Sequence, residues 1–550
     1  MTQIIADHPL VLQLIAVFAG ISLHLGYFHH GEHSSKATTY VQLAVSSFLA
    51  LVSLFFLSDQ SISGSLALGT SIFGSLLAGL YGSLLFYRLV SHPLNRFPGP
   101  IAARVGDLWL SSQAKSYDWH KKGWGLYQRY GQFVRIGSST LMILHPQGVP
   151  AIYGPQSNCT RAEWYGTFGA PYGIISRAPG VHRERRRIWS HALKDSALRG
   201  YEPRIHSFVE TFVNILQNTA KRQERIDIAK WCTYFAWDVM GDTGLNKDFA
   251  LLKAGKEQGE EHWAFTLVAG WTKALGVRLP PWLVSLLKAI PGSGEAVQKF
   301  QNFCNAQLEA VIADEKAAAK TSLLGIMVSH AGPQPSFEDR LHLESDTRSV
   351  IFAGSDTSAS TLTFVFYYLA KHPEQLEKLR QELIPLSNPD GTFKHQNIQN
   401  APHLNAVINE VLRLHPPGSV IPRQTPPEGI FVDGTFVPGD VTVIGSQYVL
   451  GRSEKVYQRP GDFIPERWYS QPDLIVDRAG YAPFNIGKYP TCVGRPLALM
   501  VFRLLIAECA TRFDVYFPAG KEDLRFLDGV EEAHTWRLPE LPMSFYLRAK

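Results

Sequence analysis

The chain has 550 residues, 45% hydrophobic and only 18% charged, a composition that excludes an intrinsically disordered protein. A formal charge of +5 is too mild for a nucleic-acid binder and suits an anionic membrane surface or an acidic protein partner. Five cysteines (Cys159, Cys232, Cys304, Cys492 and Cys509) are odd in number and widely spaced. That pattern argues against a disulfide framework or a structural zinc site and for a reducing compartment.

The chain opens on three apolar runs, Pro9 to Phe28, Val41 to Leu57 and Leu66 to Val90. Each approaches or exceeds the roughly 20 residues that cross a bilayer. Within them the first charged side chain is Arg88, and residues 1–8 contain no Lys or Arg, which disfavours a cleaved signal peptide. Gly74, Gly79 and Gly82 suit close helix packing in lipid. Residues 1–90 are therefore expected to form a membrane anchor of two to three transmembrane helices. The second run, short and serine-containing, can instead lie at the interface or pair with the third. Arg88, Arg96 and Arg104 follow the last run, and the positive-inside rule then puts everything downstream in the cytosol. Residues 91–100 (HPLNRFPGP from His92) cannot continue a helix and are expected to be a hinge ahead of one domain, 101–550.

Helical apolar spacing recurs at 203–219, 296–319, 340–371, 373–386 and 402–414. Short turn-bounded strands are predicted at Phe133–Ile136, Leu141–Leu144 and Ile430–Val437, the last around Asp433-Gly434. The expected fold is α+β, mainly α, with a small β-rich part and no internal repeat.

Near the end stands Phe484-Asn-Ile-Gly487-Lys-Tyr-Pro-Thr-Cys492-Val-Gly494, with a helical stretch 497–512 right behind it. Glycine lets backbone approach a flat ligand, and a thiolate beside a helix N-terminus is favoured by the dipole and free N–H groups. Taken alone, the segment is equally a turn with a buried thiol. It resembles, however, the haem-binding loop F-x-x-G-x-x-x-C-x-G of the cytochrome P450 family. Two further segments occur in that family's order. Glu410-Val-Leu-Arg413 resembles its E-x-x-R helix, with Arg467 of Phe463-Ile-Pro-Glu-Arg467-Trp468 as the third member, a structural trio in an apolar setting. Ala353-Gly-Ser-Asp356-Thr357-Ser resembles its oxygen-binding helix, where an acid–alcohol pair relays protons. Val181–Leu193 (VHRERRRIWSHAL) is similar to a fungal-type C-helix, although such an arginine run is commonly a solvated face.

The resemblance spans residues 95–550 and implies a cytochrome P450 fold behind N-terminal transmembrane helices. It implies haem b with Cys492 as axial thiolate and Phe484, Gly487 and Gly494 shaping the loop. His182, Arg186 and Arg423 would face the haem propionates, with Arg supplying bidentate pairing. Asp356 and Thr357 would deliver protons, a general-acid task. Departures are Pro490, where a basic residue is usual and Lys488 is the substitute at hand; Val501, where an acid is common; and His182 in place of Trp. The activity implied is monooxygenation of a lipophilic small molecule by O2, such as a terpenoid, polyketide or alkaloid of fungal secondary metabolism. No FAD- or NADPH-binding motif is present, so electrons would come from an NADPH-cytochrome P450 reductase, with the catalytic domain on the cytosolic face of the endoplasmic reticulum. Trp164–Ile175, 262–290 and Gly418–Ile421 are apolar enough to line the pocket. The alternatives are a reductase-independent haem-thiolate isomerase or dehydratase, which would not need the Asp356–Thr357 pair, and a non-catalytic membrane haem protein.

Overall fold

The computed structural model describes residues 8–58, 61–168, 171–256, 261–313, 322–332, 334–418, 421–487, 491–518 and 525–548. These divide into two compact units: Met1–Ser112 with Phe133–Leu141 and Leu279–Gly294, and the remainder.

The first unit holds α1 (Pro9–Leu23, extended by a π turn His24–Phe28), α2 (Ala37–Phe56) and α3 (Ile62–Phe86). Three stretches, Pro9–Phe28, Ser34–Phe56 and Ile62–Arg96, are long and apolar enough to cross a membrane. The second reaches 23 residues because the turn Ser34–Lys36 and residues 37–40 join the apolar run. A Cβ on Gly79 would lie 2.1 Å from the Val17 carbonyl oxygen, and one on Gly20 2.1 Å from that of Leu76, so these two glycines let α1 and α3 touch backbone to backbone. Gly69 instead makes room for the Val52 side chain of α2, 2.7 Å from where a Cβ would lie, whereas Gly74 and Gly82 meet nothing within 4 Å. Helical periodicity explains the split: 76, 79 and 80 share the contact face, and 74 and 82 fall off it.

The proline-rich segment ends the long helix as expected and is itself well packed. Leu94 and Phe97 are buried, and the Pro98 carbonyl accepts from the Arg135 N–H at 2.8 Å. Helix Pro281–Lys288 belongs to this unit. The Thr38 hydroxyl donates to the Ser285 carbonyl, and the Ser285 hydroxyl to that of Ser35. Those residues of the 262–290 stretch are thus engaged with the start of α2.

The second unit is mainly helical, as the sequence predicts. Its axis is α6 (Phe337–Lys371), started by a capping box between Ser336 and Asp339 and buried along most of its length from His342 to Ala370. Around it lie α4 (Pro179–Ala192), α5 (Ile228–Leu245), α7 (Pro402–Leu414) and α8 (Arg495–Arg512). Predicted helix 402–414 matches α7. Helix 203–219 extends to Asp195–Lys221 with Pro203 inside it. Helix 296–319 is seen as Glu295–Ala313, with residues 314–319 outside the described ones. Helix 373–386 ends at Leu383 in a 3₁₀ turn that holds Pro385.

The β part is small. Strand β1 (Thr160–Arg161) pairs with β2 (Arg423–Gln424), which pairs with β3 (Thr442–Gly445). The hairpin Ile430–Val432 and Thr435–Val437 turns at Asp433-Gly434 as predicted. Strands β4 (Glu531–Glu532) and β5 (Trp536–Arg537) form a short hairpin, and Pro542–Leu547 pairs with Arg225–Asp227 and Phe513–Tyr516. Val501 is buried in the core beside α8's other apolar residues, so an acid there would face no water.

Candidate active site

The cysteine loop is built by backbone constraints. The Cys492 N–H donates to the Phe484 carbonyl at 2.7 Å, closing the loop, and the Thr491 hydroxyl donates to the Gly487 carbonyl. Gly487 has φ +90, and a Cβ there would approach the Tyr153 carbonyl oxygen to 2.8 Å, so only glycine fits. Helix α8 begins at Arg495, with Pro496 in its first turn where a missing N–H costs nothing. The Cys492 side chain faces open space, yet its place deep in the fold pushes its thiol up on balance. The Gly494 N–H, the Arg186 guanidinium, and the N–H and charge of Arg495 pull it back down. Arg186 also donates to the Thr491 carbonyl, which ties α4 to the loop. A sulfur held by two N–H groups and two guanidiniums is arranged to carry negative charge. Lys488 and Pro490 lie outside the described residues.

Next to this loop the structure gathers cations. Arg161 and Arg423 are directly opposed across the β1–β2 pair. Arg423 is buried and donates to the Tyr165 hydroxyl at 3.2 Å. Arg161 donates to the carbonyls of Ser176 and Ile174, while its Nε is buried without a partner among the described residues. His182 Nδ1 donates to the same Ile174 carbonyl at 2.6 Å, which fixes the proton on that nitrogen. Asp346 of α6 sets this corner: it accepts from the Ile174 N–H at 2.9 Å and pairs with buried Arg185 at 2.7 Å. Burial, then Tyr165 in the opposite sense, then the charges of Arg423 and Arg186 act on Arg161, and the net effect weakens its hold on the proton. Among the described residues neither Arg161 nor Arg423 has a carboxylate partner. Like charges directly opposed across a strand pair are costly, and they fit a ligand that brings carboxylates of its own. The cysteine loop and this cation cluster together fit haem b: Cys492 would hold its iron, and Arg161 and Arg423 would pair with its carboxylates. Arg186, His182 and Arg423 were expected here; Arg161 was not, because a single arginine beside a two-residue strand carries no sequence signal. Of the four arginines of α4, Arg183 and Arg187 are exposed, as a solvated face requires, and Arg185 and Arg186 turn inward.

Helix α6 passes with Gly354 against α5: a Cβ there would overlap the Met240 methyl. Thr357 donates its hydroxyl to the Ala353 carbonyl at 2.9 Å on an open side of the helix. Asp356 takes other partners. Burial raises its carboxyl to about 6, and the nearby side chains of Trp237 of α5 and Thr535 of the β4–β5 turn favour its charged form and draw it partly back. Acid and alcohol are adjacent in sequence yet serve different surroundings. His534, beside Thr535, contacts the rings of Phe352 and Trp164 and is lowered to about 4 by burial, so it is neutral near pH 7.

Behind the site stands the trio. Glu410, Arg413 and Arg467 are buried. Arg413 grips Glu410 bidentately at 2.9 and 2.7 Å, Arg467 adds a bond at 3.0 Å, and the Trp468 indole and Ile464 N–H complete the carboxylate's partners. The remaining guanidinium donors go to carbonyls of Pro460, Asp462, Gln458, Leu474 and Arg459.

A mainly helical body that aims one helix-capped cysteine and a patch of cations at a common space defines a haem-thiolate oxidoreductase. Comparison with known proteins agrees. The family profile of cytochrome P450 matches residues 105–534. The chain is 49% identical over 474 residues to cytochrome P450 monooxygenase sthD of Phaeosphaeria nodorum, covering 85% of this chain and 98% of that protein. It is 35% identical to tryprostatin B 6-hydroxylase of Aspergillus fumigatus over 98% of both chains, and 36% identical to cytochrome P450 monooxygenase notG' of Aspergillus versicolor over 97% of both. The chain belongs to the cytochrome P450 family. It is a monooxygenase that uses haem-thiolate iron and O2 on a lipophilic substrate, and its three apolar N-terminal helices can anchor it to a membrane.

Proposed function

We propose that this enzyme hydroxylates a lipophilic product of fungal secondary metabolism while anchored in the endoplasmic reticulum by residues 1–90, with residues 101–550 as the cytosolic catalytic domain. The observation that carries the reading is Cys492 at the start of α8, held by N–H groups and flanked by Arg186 and Arg495. When bound, haem supplies the oxygen activation that a thiolate ligand favours. The chain's own residues do the rest. Gly487 and Gly494 keep the loop close to the ligand plane, Phe484 closes it, and Arg161, Arg186, His182 and Arg423 hold the carboxylate edge. Asp356 supplies protons on the oxygen side, with Thr357 orienting them.

The aromatic rings of Trp164 and Phe352 support a lipophilic substrate, and neutral His534 between them offers one polar contact for orientation. One relative is by name a tryprostatin B 6-hydroxylase, which supports a hydroxylation step here as well. Residues 169–170 and 419–420 of the expected lining lie outside the described residues. Exposed Arg183 and Arg187 on α4 suit docking of an acidic NADPH-dependent reductase. A three-span anchor puts residues 29–36 on the same side as everything after Arg96, and the Ser35–Ser285 contact supports that multi-pass topology.

The test is a reduced carbon monoxide spectrum on membranes with Cys492→Ala alongside, followed by NADPH-driven turnover with a reductase. Thiolate-type absorption lost in C492A, with reductase-dependent hydroxylated product, is the expected result. Turnover that needs no reductase would instead identify an isomerase or dehydratase.

A further inference from the structure

Residues 172–176 are pinned from two sides. On one side lies α6. His342 Nδ1 donates to the Tyr172 carbonyl at 2.6 Å, and the Ile174 N–H donates to Asp346 Oδ1 at 2.9 Å. Between these bonds a Cβ on Gly173 would lie 3.0 Å from the Ser345 Cβ, so the segment runs close along the helix. On the other side the segment offers carbonyls. That of Ile174 accepts from His182 Nδ1 at 2.6 Å and from Arg161 Nη2 at 3.2 Å, and that of Ser176 accepts from Arg161 Nη1 at 2.7 Å. The Ile174 peptide therefore joins a carboxylate of α6 to two residues of the haem's carboxylate edge.

Asp346 is fully buried, and its two oxygens take different partners. Oδ2 takes Arg185, whose Nε donates at 2.8 Å and whose Nη2 lies 2.7 Å away. That ion pair alone would fasten α4 to α6. Oδ1 is spent on the Ile174 N–H, although bidentate pairing with both oxygens is the geometry arginine favours. A peptide whose N–H is bonded to a carboxylate is a stronger acceptor at its carbonyl, because chained hydrogen bonds polarise one another. We propose that Asp346 is a positioning residue for the haem edge: through the Ile174 peptide it sets the places of Arg161 and His182, which grip the haem carboxylates. The inference rests on the reading of those two residues as carboxylate partners. It also accounts for Arg185, which turns inward while Arg183 and Arg187 stay in solvent. Residues 172–175 belong to the stretch read as pocket wall, so a shift of that wall moves the edge with it.

The experiment uses the full-length haem-loaded protein and two paired replacements, each of which removes both buried charges so that neither is left alone. Asp346→Asn with Arg185→Gln keeps an acceptor for the Ile174 N–H, and Asp346→Leu with Arg185→Met removes it. Transfer to apomyoglobin times haem loss, and resonance Raman reads the haem-carboxylate bending bands. D346N/R185Q should lose haem within about twofold of the wild-type rate. D346L/R185M should lose it about tenfold faster and shift those bands while the carbon monoxide spectrum keeps its thiolate form, the scale of one charge-assisted bond weakened. Added to Arg161→Ala with His182→Ala, the same pair should change the rate by less than about twofold, because its route of action is already gone. Equal haem loss in the two pairs would assign the effect to the ion pair, and an unchanged rate in D346L/R185M would leave Asp346 no role at the edge. A further tenfold loss on top of R161A/H182A would mean general loosening of the fold. Each of these three outcomes overturns the proposal. By reciprocity, haem added to the haem-free wild-type chain should slow amide exchange at 172–176, and R161A/H182A should cancel that slowing. Exchange there that ignores haem sinks the proposal with no change made at 346. If R161A/H182A itself loses haem at the wild-type rate, the reading of the edge falls first.

Discussion

Two arginine clusters lie in the catalytic unit, and they are opposites. Around Glu410 every charge is answered: one carboxylate, two guanidiniums, an indole, and carbonyls for the leftover donors, all buried. Around Arg161 and Arg423 the guanidiniums oppose each other across a strand pair, and no side-chain carboxylate answers them among the described residues. The first is a closed knot whose value is geometric, fixing α7 to the segment at 458–474. The second is open, and its own repulsion is relieved only by an anionic ligand. Both hold guanidiniums against the protein interior; the presence or absence of a counter-carboxylate separates scaffold from binding site.

Breaking the knot should have the largest effect. Glu410→Ala leaves Arg413 and Arg467 buried and unpaired, at a cost of roughly 3–5 kcal/mol. Haem-loaded protein should be lost from membranes, measured by the carbon monoxide spectrum per unit of expressed chain. The open cluster should respond in the reverse sense. Arg161→Ala or Arg423→Ala removes a repulsion, so the folded chain should survive while haem retention weakens roughly ten- to hundredfold per charge-assisted bond lost. Haem transfer to apomyoglobin measures this. Equal losses of fold in both clusters would erase the distinction.

Asp356 sharpens the contrast, being a half-buried carboxyl with no cation paired to it among the described residues. Its folded value near 6 lies above the 3.8 of an unperturbed aspartate, so the folded state binds the proton more tightly. Its stabilising contribution is present at low pH and is lost as pH rises through about 6. Asp356→Asn should therefore melt higher than wild type at pH 7.5, by on the order of 3 kcal/mol, by about 1 kcal/mol at pH 4.5, and equally near pH 3. In wild type, peroxide release per NADPH should climb above pH 6 as the donor loses its proton, and that limb should vanish in D356N.

The sequence made these sites legible to very different degrees. Helix α7 was readable to the residue, because apolar spacing and a leading proline fix both its face and its start. The Cys492 loop was readable because glycine, cysteine and aromatic positions are each demanded by backbone geometry, as the 2.8 Å approach at Gly487 illustrates. Arg161 was invisible: its partner Arg423 lies 262 positions away, and only the β1–β2 register joins them. Trp237 and Thr535 were equally hidden, since what matters is their convergence on one carboxyl from three separate elements. Among the anchor glycines, Gly79 was readable as a small residue in lipid, but choosing it over Gly74 and Gly82 requires knowing which face meets α1. Local chemistry is written locally, and long-range pairing is not.

The smallest expected effect tests the comparison most directly, because it changes geometry and keeps charge. In the knot, Arg413 uses a planar fork on Glu410 and sends its other nitrogen to the Gly451 and Pro460 carbonyls. Lysine has no fork and three donors around one point, so Arg413→Lys should still cost roughly 2 kcal/mol or more through unpaired buried acceptors. In the open cluster Arg161 contributes mainly charge beside a flexible ligand edge, and its Nε has no partner among the described residues. Arg161→Lys should then change haem retention by less than about threefold, under 1 kcal/mol, a loss comparable to one neutral hydrogen bond. A large loss in R161K would mean that the cluster, like the knot, depends on bidentate geometry and that charge alone does not define it.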